Sequence, residues 1–158
     1  MLRRLIAGSL VLTAAMMFLT AQADDSAAKK DGEKKGFSAK CPISGKKAKE
    51  DQTAAYKDGK VYFCCGNCKA AFEKDSTKHT LKANAQLVST GQYEQKKCPL
   101  SGGPLKTKSK VAGVKVRFCC KNCKKKVDNA EGDAQLTLVF SDGAFKKGFA
   151  KKTEKKKG

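Results

Sequence analysis

Short runs of mixed apolar and polar residues stand on either side of a turn dipeptide at two places in the chain. The first runs, Thr53 to Tyr56 and Lys60 to Phe63, flank Asp58-Gly59, a strong signal for a two-residue hairpin turn. A weaker signal of the same kind has Lys110-Val111 and Val114 to Phe118 around Ala112-Gly113. The pattern therefore predicts two β-hairpins.

A short helix is predicted after each hairpin. Residues 69–74 combine good helix formers with Ala and Phe at helical spacing. The later counterpart, residues 124–129, is a poorer helix former but has Val127 where the first has Phe72. Each half of the chain thus combines a hairpin with a short helix, which predicts a small α+β protein.

The first residues have the pattern of an export signal. Arg3 and Arg4 precede a predominantly apolar run of 15 residues from Leu5 to Leu19, and Ala21-Gln22-Ala23 follows with small residues suited to cleavage. The run is shorter than the ~20 residues that a membrane-spanning helix needs. We therefore predict a signal peptide over residues 1–23 with cleavage after Ala23, a periplasmic or secreted protein, and no transmembrane segment after cleavage.

Polar segments flank the remaining sequence. Residues 24–37 are mostly Lys, Asp, Glu, Ser, Ala and Gly and predict a solvated linker, and residues 146–158 are mostly Lys and predict a disordered basic tail.

Between them lies an internal repeat. Cys-Pro-x-Ser-Gly begins at Cys41 and again at Cys98, and Phe-Cys-Cys-x-Asn-Cys begins at Phe63 and again at Phe118, so all eight cysteines occupy matching positions. A fainter echo, Ala-Gln-Leu, follows each copy at residues 85–87 and 134–136. We predict two tandem modules, residues 38–95 with a connector and residues 96–145, each with a hairpin, a cysteine knuckle and a short helix.

Composition narrows the classes of function. The chain has 158 residues, 8 Cys, one His and no Trp, and only 7% of its residues are aromatic, so cysteines replace core volume as staples. The common nucleotide-binding and hydrolase motifs are absent. We therefore expect a protein that is not an enzyme.

The net charge of +19 would suggest nucleic acid as the partner of a cytosolic protein. The export signal argues against that partner, so we expect no nucleic acid. Acidic envelope polymers and anionic membrane surfaces stay open as partners, although lysines that keep a small protein soluble are the simpler explanation.

The cysteine spacing predicts metal sites. Twenty-two residues separate Cys41 from Cys64, and three separate Cys64 from Cys68. A thiolate pair on a turn, joined by a distant thiolate across a hairpin, is how small domains surround a soft metal ion such as Zn²⁺ or Cu(I). The candidate ligands are Cys41, Cys64, Cys68, Cys98, Cys119 and Cys123.

Each of three further residues has two alternative roles. Cys65 and Cys120 are either fourth ligands or buried small apolar residues. His79 could complete the first site only, and an exposed linker residue is the more ordinary role for it.

Disulfides are the alternative to metal, because an exported chain meets an oxidising compartment. Vicinal bridges such as Cys64–Cys65 would be strained, since adjacent Cα atoms are only ~3.8 Å apart. Bridges from Cys41 to one of that pair and from Cys68 to the other remain open.

The Cys-Pro-x-Ser-Gly opening and the stretch from Tyr56 to Phe72 resemble the YHS domain and the related TRASH domain. The resemblance implies small treble-clef-like modules that handle heavy metals, with ligands at the six cysteines named above. Many YHS domains carry a second cysteine near the opening, where this chain has Ser44 and Ser101.

These patterns favour an exported soft-metal-binding protein that sequesters or passes on its ion through thiolates, with a metal donor or acceptor protein as partner. The competing interpretation is a non-catalytic structural or interaction module, stapled by disulfides or structural zinc, whose basic surface binds an acidic partner. A thiol oxidoreductase using Cys65-x-x-Cys68 is disfavoured, since no thioredoxin-like βαβ pattern surrounds the motif.

Overall fold

The computed structural model describes residues 38–153. The predicted signal peptide, the predicted linker over 24–37 and residues 154–158 of the predicted tail lie outside the described residues. Across the described part of the chain, no helix has both the length and the apolar character that crossing a membrane requires.

Six short strands and five α-helices follow one another along residues 53–151, and the α+β class is confirmed. The strands pair as three two-stranded antiparallel sheets, β1-β2, β3-β6 and β4-β5. The elements are β1 (Thr53–Tyr56), β2 (Gly59–Tyr62), α1 (Gly66–Lys74), a 3₁₀ turn (Thr77–His79), α2 (Thr80–Ser89), β3 (Tyr93–Gln95), β4 (Thr107–Val111), β5 (Val114–Phe118), α3 (Lys121–Asp128), α4 (Gly132–Phe140), α5 (Asp142–Gly148) and β6 (Phe149–Lys151).

The β4-β5 hairpin turns where the sequence predicts. Val111 pairs with Val114, so Ala112 and Gly113 form the turn. Both have positive φ, 47° and 86°, as a turn that matches the twist of its strands requires. Ala112 holds this conformation without the freedom of a glycine.

The first hairpin turns one residue earlier than predicted. Tyr56 pairs with Gly59, so Lys57 and Asp58 form the turn and Gly59 begins β2. Gly59 is needed for close approach instead, because a Cβ there would lie 2.7 Å from Gln92 Oε1 and 2.9 Å from Leu87 Cδ2. The placement of the turn at Asp58-Gly59 was therefore wrong, for a reason that lies in tertiary packing.

Helices α1 and α3 start directly after the vicinal cysteines. Cys65 and Cys120 are their N-cap residues, each with extended backbone. Phe72 and Val127 both lie in the core, with 2% and 0% of their surface exposed. The predicted helices and the equivalence of these two residues are confirmed, although each helix begins three residues earlier than predicted.

All described residues belong to one compact unit. Apolar residues of both hairpins share one core, and α2 packs against α4, β2 and β5. Val61 and Phe63 of the first repeat and Val116 and Phe118 of the second are fully buried in it. The two repeats are thus joined by a common core.

The prediction of a disordered tail from Lys146 is wrong for residues 146–151. These residues complete α5 and form β6, which pairs with β3 from Tyr93↔Lys151 to Gln95↔Phe149. Phe145 and Phe149 stack at 5.2 Å between ring centroids, and Tyr93 lies 5.0 Å from Phe145. Phe145 of α5 and Phe149 of β6 are both buried and attach this lysine-rich segment to the core, which the composition of the segment conceals.

Two glutamine side chains hold together, by hydrogen bonds, the backbone segments that carry the cysteines of each repeat. In the first repeat, Gln86 of α2 accepts a hydrogen bond from Tyr62 N at 2.7 Å and donates to the carbonyl oxygens of Tyr62 and Lys40, both at 2.8 Å. Lys40 directly precedes Cys41, and Tyr62 lies two residues before Cys64. One amide therefore ties together the two chain segments that bring in the first repeat's ligands.

Gln95 of β3 makes the same three bonds in the second repeat. It accepts from Arg117 N at 2.7 Å and donates to Arg117 O at 2.6 Å and to Lys97 O at 3.1 Å. Gln135 occupies the position of Gln86 in the repeated Ala-Gln-Leu sequence, but its side chain donates to Val127 O instead. We call Gln86 and Gln95 the glutamine clamps.

Replacing Gln86 by leucine should destabilise the fold by about 3 kcal/mol. The change keeps the size of the side chain but leaves three backbone groups without their partner, each costing about 1–3 kcal/mol when buried. Gln135→Leu is the matched control and should cost under about 1 kcal/mol, since Val127 O still accepts a hydrogen bond from Ala130 N. Urea unfolding of both variants in the same metal state measures the difference; equal losses would contradict the clamp.

Candidate metal centres

The structure brings the six candidate ligands together as two clusters of three sulfur atoms. The Sγ atoms of Cys41, Cys64 and Cys68 all lie within 4.8 Å of one another, and those of Cys98, Cys119 and Cys123 do the same. Cys64 and Cys68 are 3.7 Å apart at sulfur, and Cys119 and Cys123 are 3.6 Å apart. Thiolates at ~2.3 Å from one tetrahedral ion would be about 3.8 Å apart. Each cluster, here called a thiolate triad, could hold a metal ion.

A tight turn delivers the first cysteine of each triad. Cys41 N donates to Lys46 O at 2.8 Å, and Gly45 N donates to Cys41 O at 2.9 Å. Gly45 has a φ of 73° and its counterpart Gly102 has 75°, which explains why the motif ends in glycine. The turn buries Cys41 and Cys98 almost completely, with 1% and 0% of their surface exposed.

This turn stabilises negative charge on its own sulfur. Burial raises the pKa of the Cys41 thiol, but hydrogen bonds from the side chain and backbone of Ser44 and from the backbone of Cys64 and Ile43 outweigh it. The result is a pKa of about 7 instead of 9.0. Cys98 has the same surroundings in the second repeat, with Ser101 as the main donor, and its pKa falls to about 6. These two cysteines are therefore the readiest thiolates of their triads.

The serine hydroxyls lie inside the sites. Ser44 Oγ is 3.2 Å from Cys64 Sγ, and Ser101 Oγ is 3.0 Å from Cys119 Sγ. A backbone N–H two residues later donates to each hydroxyl, from Lys46 at 3.3 Å and from Gly103 at 3.2 Å. The resemblance to YHS domains marks both serines only as positions where a second cysteine is absent. Their occurrence at the same position of both repeats was the signal that they have a role.

The third cysteine of each triad keeps its proton. Burial raises the pKa of Cys68 to about 12, helped by the neighbouring sulfurs of Cys64, Cys65 and Cys41. Burial likewise raises the pKa of Cys123 to about 12. A metal ion that binds all three sulfurs must therefore displace a proton that the crowded sulfurs hold.

Cys65 and Cys120 lie beside the triads and are exposed. Their Sγ atoms are 3.7 Å from that of Cys64 and 3.6 Å from that of Cys119, respectively. Neither belongs to the groups whose sulfurs all lie within 4.8 Å of one another. Because both are exposed, the interpretation of Cys65 and Cys120 as buried small apolar residues is wrong.

His79 lies outside the first triad. It ends the 3₁₀ turn, is half-buried, and its ring lies 6.3 Å from that of Phe72. The expectation of an exposed linker residue is thus wrong as well, because the side chain covers the core beside α1.

The eight cysteines are all free, and all lie within the described residues. The vicinal sulfurs are 3.6–3.7 Å apart, whereas a disulfide needs ~2.05 Å. The sulfur positions match ligands around an ion better than partners in a bond.

No family model, curated protein or solved structure matches the chain significantly.

Ser101→Ala should raise the pKa of Cys98 in the metal-free, reduced protein. The depressed pKa means that the Cys98 thiolate is present above pH ~6 and is lost as the pH falls through that value. Without the hydroxyl, the titration should move towards 9.0, the ordinary pKa. Ultraviolet absorbance of thiolate against pH measures the shift. Ser89→Ala, whose hydroxyl donates to Gln86 O, is the control, and an unmoved titration in Ser101→Ala would contradict the assignment.

Alkylation of the metal-free protein at neutral pH should modify Cys65 and Cys120 first. Both are exposed, and hydrogen bonds from the backbone and side chain of Cys68 and from Cys64 lower the pKa of Cys65. Bonds from Cys123 and Cys119 do the same for Cys120. A lowered pKa increases the thiolate fraction, which reacts with iodoacetamide. Peptide mapping after brief treatment tests the order; earlier labelling of Cys68 or Cys123 would be the opposite result.

Proposed function

We propose that this protein is an exported soft-metal carrier that holds one Zn²⁺ or Cu(I) ion in each thiolate triad. The observation that carries the proposal is the convergence of three sulfurs within 4.8 Å, found in both repeats. Thiolates are the preferred ligands of these soft ions. The metal is the cargo of the protein, and we propose no enzymatic reaction.

Three ligands per triad favour transfer over permanent storage. A structural zinc site is closed by four protein ligands, whereas a three-ligand site leaves one position for an incoming group. Cys65 and Cys120 lie at the exposed side of their triads, next to Cys64 and Cys119. An incoming ligand from a donor or acceptor protein would approach from this side, and we propose such a protein as partner.

Two expectations from the sequence complete the proposal. The signal peptide would place the protein in the periplasm or outside the cell. The resemblance to YHS and TRASH domains supports treble-clef-like modules and heavy-metal handling. Hairpin, knuckle and helix follow one another in both repeats, in the order that the sequence pattern of each copy predicts.

Elemental analysis should find two metal ions per chain in protein purified without oxygen. Cys68→Ser and Cys123→Ser should each reduce this to one, and the double variant should bind none, because a two-sulfur site is too weak to retain the ion. Cys65→Ser is the matched control and should retain two ions with an unchanged circular dichroism spectrum. Loss of both metal and fold in Cys65→Ser would favour a closed four-ligand structural site, and unchanged metal in Cys68→Ser would exclude the triad.

A further inference from the structure

The outer face of the β4-β5 hairpin carries four cationic side chains. In the register of the two strands, Lys108 lies opposite Arg117 and Lys110 opposite Lys115. All four are exposed, while the alternate residues of β5 and Val111 are buried in the core. We call Lys108, Lys110, Lys115 and Arg117 the cationic face.

These charges lack compensation within residues 38–153. None of the four lies within 4.0 Å of a carboxylate, although five other lysines of that range do. Only Arg117 has a side-chain hydrogen bond, from its guanidinium to Leu105 O at 3.1 Å. Like charges directly opposite each other destabilise a strand pair. The hairpin thus retains two unfavourable cross-strand pairs that a bound anion would relieve.

The first repeat has the same hairpin without these charges. Its equivalent positions are Thr53, Ala55, Lys60 and Tyr62, again paired across the two strands. One cation therefore stands where the second repeat has four. Since the β1-β2 hairpin folds without the other three, the cationic face is not a requirement of the hairpin fold.

The cationic face lies next to the second thiolate triad. Arg117 is two residues before Cys119 and three before Cys120 in the chain, so the Lys108–Arg117 pair is the end of the cationic face nearer to that triad. A partner held by the four cations would therefore have part of its chain near the exposed Cys120. That position is useful to a partner that exchanges a ligand with the triad.

We propose that the cationic face docks a carboxylate-rich, extended segment of the protein that exchanges metal with the second triad. Alternate residues of an extended chain are about 6.8 Å apart, so acidic residues at every second position match the spacing from Lys108 to Lys110 and from Lys115 to Arg117. The face has no aromatic ring on which a base could stack and no apolar residue that could enter a bilayer. The inference deepens the proposed function and depends on it for the nature of the partner.

The test compares two variants that lose the same charge. The first replaces Lys108, Lys110, Lys115 and Arg117 with Gln, and the control replaces the exposed residues Lys46, Lys49, Lys82 and Lys146 with Gln. The probe is a fluorescent ten-residue peptide of alternating Glu and Ser, titrated with metal-free, reduced protein at low and at physiological salt. Loss of the cationic face should weaken binding on the order of tenfold, and the control change only about twofold.

Two further readouts keep the result decisive. Peptide addition should shift the amide NMR signals of residues 107–121 and leave those of 53–62 in place. The first variant should still bind two metal ions, so failure of docking is distinguishable from failure of the metal proposal. If that variant is not folded, Lys110→Gln with Lys115→Gln tests the same face with half the charge.

Three results would overturn the proposal. Equal weakening of peptide binding in both variants would mean that net charge alone attracts the peptide. Weakened binding of single-stranded DNA with unchanged peptide binding would make nucleic acid the occupant. The same outcome with phosphatidylglycerol vesicles would make it a membrane surface.

Discussion

Three sulfur atoms held within 4.8 Å of one another can coexist only if their charge is controlled, and the surrounding structure supplies that control. The turn around Cys41 directs backbone and serine donors at one sulfur, which lowers its pKa, while burial keeps a proton on Cys68. One triad therefore holds a ready thiolate beside a protonated thiol. The second repeat likewise has one cysteine with a lowered pKa, Cys98, and one with a raised pKa, Cys123. This difference in pKa within a triad is therefore a shared property of both sites.

Local features of the fold could be predicted from the sequence, and distant ones could not. The Ala112-Gly113 turn and the helices after the vicinal cysteines depend on residues that are neighbours in the chain. A short stretch of sequence is therefore enough to predict them. Strands β3 and β6 pair although their residues are more than fifty positions apart in the chain. The sequence around β6 is rich in lysine, which hides the strand from a prediction based on composition. Gly59 shows the same limit in a single residue, because the side chains that require a glycine there come from α2 and from Gln92.

The residues of the candidate site likewise differ in how far the sequence alone reveals them. Repetition made the six cysteines conspicuous, since chance rarely places every cysteine of a chain at matching positions. The glutamine clamps were missed because their equivalence is spatial: Gln86 acts from a helix, Gln95 from a strand, and the repeated Gln135 has another partner. The serines were visible in the motif, but only the distances to Cys64 and Cys119 show what they contact.

The β3-β6 pairing also bears on the order in which the molecule assembles. A hairpin with a two-residue turn closes within microseconds, whereas a contact between distant residues must first overcome the entropy of closing a long loop. The two hairpins that lead into the vicinal cysteines are local, and β6 joins β3 only across the whole second repeat. We expect the cysteine turns to form early in folding and the aromatic stack of Tyr93, Phe145 and Phe149 to form late. Between these two steps the thiols would be exposed to oxidants. The late pairing of β3 with β6 therefore lengthens the time in which the cysteines could be oxidised during folding.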